Sequence, residues 1–379
     1  MNGMNGTIKR LIRLRQQMFY ADRRKEYLHL ANAIKRNISA KQKFFNEKVK
    51  IFRKTEPKKW HSTVKRICGS SRNDSSFPDI PEVAGCKAPM AANSINSFLS
   101  KPCTALPPLD RTRLPAMCPC PPPSLVFPFE VHEELKRIKS CSSSGPDSIP
   151  SRIYKEFAPE LTIPLTDIFN TSLMTGQVPD LWMTATVIPI PKKHPPKCLN
   201  DLRPISLTCL PCKILERIIL KRMTNVANAL HTSQYGNCKG ISTTDYFLDF
   251  LHYVHLHLDA GRAVTSIFID FCKAFDTVDH NLILKKLFLL DADPVLLLWV
   301  TSFLDHRTQK TRFNGADSEI VTLTCGVPQG TVLGPFLFSV MVDDDIQDQD
   351  HVQTFKYVDD KTLAVSHSKT GIPQPCVQA

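Results

Sequence analysis

Two short runs of strand-forming residues, Gln353–Lys356 and Thr362–Val365, stand on either side of Tyr357-Val358-Asp359-Asp360. A connection this short folds the runs back on each other as an antiparallel hairpin, with two adjacent carboxylates at its tip. Side chains alternate across a strand, so Asp359 and Asp360 cannot both face the same way. One is free to bind a cation directly while the other supports it. Acidic pairs are also common in solvated turns, so the four residues by themselves leave both readings open.

A second acidic strand end lies upstream. Ser266-Ile-Phe-Ile-Asp270 is an apolar, β-branched run that closes on a carboxylate. A buried strand seldom ends on an unpaired acid unless a cation offsets its desolvation. Two such ends, Asp270 and Asp359-Asp360, suit a pair of Mg2+ ions about 4 Å apart, which activate an attacking hydroxyl and neutralise a leaving pyrophosphate. Lys192, Lys193 and Arg203 are cations in loop-like surroundings after a strand over Thr184–Ile190, where they can hold a triphosphate. Gly326-Val-Pro-Gln-Gly330 is a rigid turn into a helix over 331–342, with close backbone approach at its glycines and an amide at Gln329. Phe275, five residues past Asp270, has ordinary core packing as its simplest use and contact with a substrate sugar as the other.

Charge divides the chain. Residues 1–66 carry 19 Lys and Arg against four acids, whereas the whole chain is at +12, so the remainder is slightly acidic. A basic segment on a near-neutral body suits a polyanion, nucleic acid first and an anionic membrane second; a solvated basic helix is the plain alternative. The N-terminus has no apolar signal core, and the longest apolar run, Pro294–Leu304, is too short to span a bilayer. Thirteen scattered Cys, an odd number, fit a reducing intracellular compartment, nucleus or cytoplasm, rather than secretion. Cys209-Leu-Pro-Cys212 lacks a second pair and is read as a structural thiol pair. Asp343–Asp350 lacks the Gly and terminal Glu of a calcium loop and is read as a helix end.

Residues 1–75 are expected as a basic helical arm and 76–128 as a linker, because nine of the residues from Lys101 to Pro128 are Pro. Helices are expected over Ala91–Leu99, Glu130–Ile138, Ile153–Leu173 (interrupted at Pro159 and Pro164), Lys213–Ala229 and Asn281–Leu290, with strands over Val264–Ile269 and Glu319–Thr324. Strands interleaved with helices, without a regular repeat, predict an α+β fold.

Seven stretches in order resemble the reverse transcriptases of non-LTR retrotransposons, especially the jockey-like group. They are Ser144–Pro150, Val187–Lys193, Asp201–Leu207, Gln234-Tyr-Gly236, Ile269–Asp276, Gly326–Pro335 and Phe355–Asp360. Glu56–His61 also looks like the connector that precedes this domain. The resemblance implies a right-hand polymerase, with fingers over 129–260, a partial palm over 261–365 and an unstructured tail over 366–379. It implies an RNA-directed DNA polymerase using two Mg2+ ions, or Mn2+, with an RNA template, a DNA primer and deoxynucleoside triphosphates as partners and no membrane. Asp270, Asp359 and Asp360 match the metal-binding catalytic aspartates. Phe271 and Cys272 match positions whose backbone amides meet the triphosphate, and Phe275 matches the gate against a ribose 2′-hydroxyl. Lys192 and Arg203 match basic fingers positions; Gln329 and Gly330 match the nucleotide-pocket turn.

Three departures stand out. Asn237 and Cys238 replace an aromatic and a basic residue after Gln234-Tyr-Gly236. Lys361 follows the carboxylate pair, where it can compete with a metal for Asp360 or turn to solvent. Only 14 residues follow Val365, too few for a primer grip and thumb. An inactive nucleic-acid-binding remnant or an incomplete gene model therefore stands beside an active enzyme, and the edge of the sheet at the hairpin is expected to be open unless another element covers it.

Overall fold

The computed structural model describes residues 80–368 apart from 114–123, 140–141, 194 and 239, together with scattered residues between 10 and 39. Residues 1–76 and 77–379 form two compact units. In the first, residues 24–37 are helical, as their Lys, Arg, Leu and Ala content predicts. Most of the rest of the basic arm, the Glu56–His61 connector and nearly all of the tail lie outside the described residues. No helix among the described residues is long and apolar enough to cross a membrane.

The second unit is a mixed α+β body with two sheets. The first is built from β1 (Thr184–Pro191), β2 (Leu202–Leu207), β4 (Thr308–Phe313), β5 (Ala316–Asp317) and β6 (Val321–Thr322). Its order is β2-β1-β4-β5, with β6 also on β4. β1 and β2 are antiparallel from Thr186↔Leu207 to Pro191↔Leu202, while β1 and β4 are parallel. The second sheet is β3 (Ala263–Asp270), β8 (Asp360–His367) and β7 (Val352–Tyr357), in the order β3-β8-β7.

Several expectations change here. Arg203, read as a loop residue, lies on β2 opposite Ile190. Pro204 hid this strand, but β2 ends its sheet, and an edge strand tolerates a residue with no N–H. β4, inside the stretch expected as palm, pairs directly with β1 in the first sheet. The strand expected over Glu319–Thr324 shrinks to the two residues of β6. The supposed linker contains α1 (Ala88–Ser100), whose Ala91, Ala92, Ile95 and Leu99 pack with Ile80, Val187, Leu202 and Phe313 into one core cluster. Buried Asn96 on α1 donates to Glu319 O at 3.0 Å and accepts from Gln309 Nε2 at 3.1 Å and Thr311 Oγ1 at 2.9 Å. Proline count described the residues after α1 and not α1 itself.

The larger core lies among α2 (Pro128–Arg137), α3 (Ala158–Thr175), α4 (Leu210–Arg222), α6 (His280–Leu289), α7 (Pro294–Leu304) and α8 (Leu333–Met341), while α5 (Thr243–Asp259) covers the second sheet. α7, noted in the sequence only as an apolar run, buries Trp299, Val300, Phe303 and Leu304 and is a helix apolar on most sides. α3 continues through Pro164. The carbonyl deprived of a partner there belongs to Glu160, and both residues are exposed, so the lost bond is not buried. The outer edge of β7 is covered: Lys356 N–H donates to Ser233 O and Tyr235 N–H to Lys356 O, both at 2.8 Å.

Candidate active site

The register of the second sheet sets the geometry. β3 and β8 pair residue for residue until Asp270 stands opposite Asp360, and β7 closes with Tyr357 opposite Asp360. Opposed residues of an antiparallel pair have Cβ atoms about 5 Å apart, so these two carboxylates are neighbours across the strands. Asp359 sits in the two-residue turn beside them. Burial raises the pKa of Asp360, and the charges of Asp359 and then Asp270 raise it further. Three carboxylates thus crowd one end of the sheet.

The two lysines that flank this end of the hairpin turn away from them. Lys361 is 3% exposed and donates to Asp345 at 2.6 Å, so it neither competes for Asp360 nor turns to solvent. Lys356, equally buried, donates to the carbonyls of Val342 and Asp343 at 2.9 and 3.0 Å. The acidic run after α8 is therefore more than a helix end, because it draws both lysines away from the carboxylates. Asp343 also accepts from His231 N–H, and Asp348 from Thr354 N–H, tying the run to β7 and to the segment beside it. Among the described residues no three His, Cys, Asp or Glu side chains are gathered closely enough to hold a metal ion by themselves. Carboxylate oxygens of this kind suit a hard divalent cation that takes its remaining ligands from water and substrate phosphates.

The turn itself is strained. Val358 has φ 59°, the only β-branched residue in the left-handed region among those described. Such a conformation costs on the order of 1–3 kcal/mol and persists only when its surroundings impose it. Gln234, 2% exposed, accepts through Oε1 from Val358 N–H at 3.3 Å and from Gly236 N–H at 3.2 Å. A Cβ on Gly236 would lie 2.4 Å from Val358 N, so the two backbones touch.

Behind the strand end, the segment after Asp270 is laced to the glycine turn. Val327 N–H donates to Phe275 O and Gly326 N–H to Val278 O, each at 2.8 Å, and Gln329 Nε2 donates to Asp276 at 3.1 Å. Gly326, at φ 82°, would set a Cβ 2.6 Å from Asp276 O, and Gly330, at φ 128°, one 2.6 Å from Ser206 O. Ser206 N–H donates to Gln329 O at 2.8 Å, which joins β2 to the same turn. Burial raises the pKa of Asp276, opposed by the Gln329 bond and by the charges of Lys273 and Lys192. Phe275 and Phe271 lie half-buried with ring centroids 5.2 and 6.4 Å from Phe338 on α8, and Cys272 is exposed.

Lys192 and Arg203 are exposed near the paired ends of β1 and β2. Lys192 donates to Asn200 O at 3.2 Å, and Lys193 lies 3.9 Å from Asp201. Asn237, the departure after Gln234-Tyr-Gly236, donates to Pro335 O on α8 at 3.1 Å, so it serves packing. Cys209 and Cys212 are buried at the start of α4, and burial pushes the Cys209 thiol up to about 11. Two supports went unread in the sequence. One is Gln234, visible there only as part of a motif. The other is Glu216, fully buried on α4, which accepts from Val332 and Leu333 N–H at 2.5 and 2.9 Å and so caps the start of α8.

Residues 190–378 match the family described as reverse transcriptase (RNA-dependent DNA polymerase). The chain is similar to the RNA-directed DNA polymerase from mobile element jockey of Drosophila melanogaster, 31% identical over 263 residues, which is 66% of this chain and 28% of that protein. The protein of the same name from Drosophila funebris is 31% identical over 220 residues, 57% and 24% of the two chains. A retrovirus-related Pol polyprotein from a type-1 retrotransposable element of Popillia japonica is 30% identical over 175 residues, 45% and 24%. The chain thus spans only 24–28% of the length of these relatives.

Proposed function

Residues 190–378 belong to the reverse transcriptase family, and on that premise we propose that this chain carries the RNA-directed DNA polymerase site of a jockey-like non-LTR retrotransposon. The register that sets Asp360 opposite Asp270, with Asp359 in the adjoining turn, is the observation that supports it most. In this reading the first sheet and its helices serve as fingers, the second sheet as palm, and residues 1–75 as a basic arm.

Asp270 and Asp359 hold two divalent cations, Mg2+ or Mn2+, with Asp360 in support. When bound, these ions lower the pKa of a primer 3′-hydroxyl and neutralise the departing pyrophosphate. Lys192 and Arg203 hold the triphosphate of the incoming deoxynucleotide, Arg as a fork and Lys as a point charge. The backbone amides of Phe271 and Cys272 meet the same phosphates. Phe275, braced on Phe338, is the gate against a ribose 2′-hydroxyl. Gln329 and Gly330 shape the pocket wall, which is stiffened by the bonds to Asp276 and Ser206. An RNA template and a DNA primer complete the complex, and the basic arm adds salt-dependent, sequence-independent affinity.

Primer extension on an RNA template with Mg2+ tests this. Deoxynucleotide incorporation that falls at least about a hundredfold in Asp359→Asn supports the site. Incorporation that survives the substitution refutes the assignment, and RNA binding with no incorporation by the unaltered chain supports a nucleic-acid-binding module instead.

A further inference from the structure

Val358 is the first of the two residues between paired Tyr357 and Asp360, the position where left-handed backbone is ordinarily supplied by Gly or Asn. A valine there relaxes to negative φ unless something outside the turn prevents it. One contact meets that need. Gln234 is aligned with Lys356 by the two backbone bonds at Ser233 and Tyr235, so its side chain reaches past the strand end to the turn. Its Oε1 receives both the Val358 and Gly236 N–H groups. The opposite amide orientation would set Nε2 against two donors, so the pattern also fixes which atom is which. Nε2 is buried with no partner. An apolar side chain of similar size would avoid that loss, and what it would not supply is the acceptor.

From this geometry we infer that Gln234 is a positioning residue for the acidic turn. Its side-chain carbonyl holds the Val358 amide and keeps Val358 left-handed, which directs Asp359 towards Asp270 and Asp360. The inference rests on the proposed metal site only for its consequence; the holding contact stands on its own.

The test uses the full chain in two arms. In the first, hydrogen–deuterium exchange is measured on peptides that cover Val358. Gln234→Met, close in shape and without an acceptor, should speed exchange there at least about tenfold while peptides from α7 stay unchanged. In the second, Mn2+ binding is followed by electron paramagnetic resonance. Gln234→Met should weaken it at least about tenfold, and adding Val358→Gly should restore most of the affinity, because glycine takes positive φ without being held. A merely structural Gln234 would lower stability everywhere and would not be rescued by a change at position 358. Unchanged Val358 exchange in Gln234→Met, or failure of Val358→Gly to restore Mn2+ binding, overturns the inference. Wild-type Mn2+ binding that is absent, or indifferent to Asp359→Asn, refutes the metal site instead, and the exchange arm then decides for or against Gln234.

Discussion

Gly236→Ala is the sharpest probe of how the acidic turn is held. Gly236 does not occupy a left-handed conformation, so it is needed for space. An added Cβ would meet Val358 N at 2.4 Å, Val358 Cγ2 at 2.6 Å and Tyr357 C at 3.0 Å. The valine methyl can rotate, but the backbone atoms can yield only if the turn moves by about 1 Å, and overpacking of this kind costs about 1–3 kcal/mol. The same movement stretches the bonds from Val358 and Gly236 N–H to Gln234, already 3.3 and 3.2 Å, past useful length. Each is worth about 0.5–1.5 kcal/mol, which brings the whole effect to about 2–6 kcal/mol. In a unit of this size that corresponds to a melting temperature lowered by about 5–15 °C in scanning calorimetry. Gly240→Ala is the control: Gly240 has φ 83° but nothing within 4 Å, so it should lose only about 1 kcal/mol from backbone strain. If Gly236→Ala melts with wild type, or no lower than Gly240→Ala, the close approach of these backbones is wrong.

Asp360→Asn should stabilise the fold near neutral pH and remove the proposed activity. The pKa of Asp360 is raised in the folded state, so its ionised form opposes folding; the penalty is present above the folded pKa and vanishes below the unfolded one. The gain in urea midpoint should therefore be seen near pH 7 and be absent by about pH 3, and a gain that persists in acid would refute the like-charge account. Lys361→Met should lower stability by about 1–3 kcal/mol in urea titration by freeing Asp345, yet leave Mn2+ affinity within about twofold, since Lys361 does not face Asp360. A large change in Mn2+ affinity would refute that placement.

Much of the site was legible in the chain because its signals are local. An apolar β-branched run closing on Asp270, an acidic pair between two short strands and a glycine turn before an apolar helix each announce themselves within a few residues. The strand at Ala263–Asp270 and the helix at His280–Leu289 emerge within a residue or so of their expected ends. Local rules failed where a residue was judged by a neighbour's habit. Pro204 concealed β2, and the prolines after α1 led the whole stretch to be read as a linker although the helix expected over Ala91–Leu99 is there and joins a core.

What tertiary structure alone decided is where the polar groups end. Lys361 was ambiguous in sequence because an ammonium beside two carboxylates has an obvious partner next door. The β8 alternation instead sends it to the opposite face, where Asp345 receives it. Gln234 and Val358 lie 124 residues apart, and no periodicity links them. The bond between them exists because Ser233–Tyr235 covers the edge of β7, and because Gly236 has no side chain to keep the two backbones apart. The sequence by itself determined which carboxylates stand at strand ends. Only the packed sheet decided that Asp270, Asp359 and Asp360 meet there while Lys356 and Lys361 turn away, because burial and strand register join distant segments that local chemistry cannot connect.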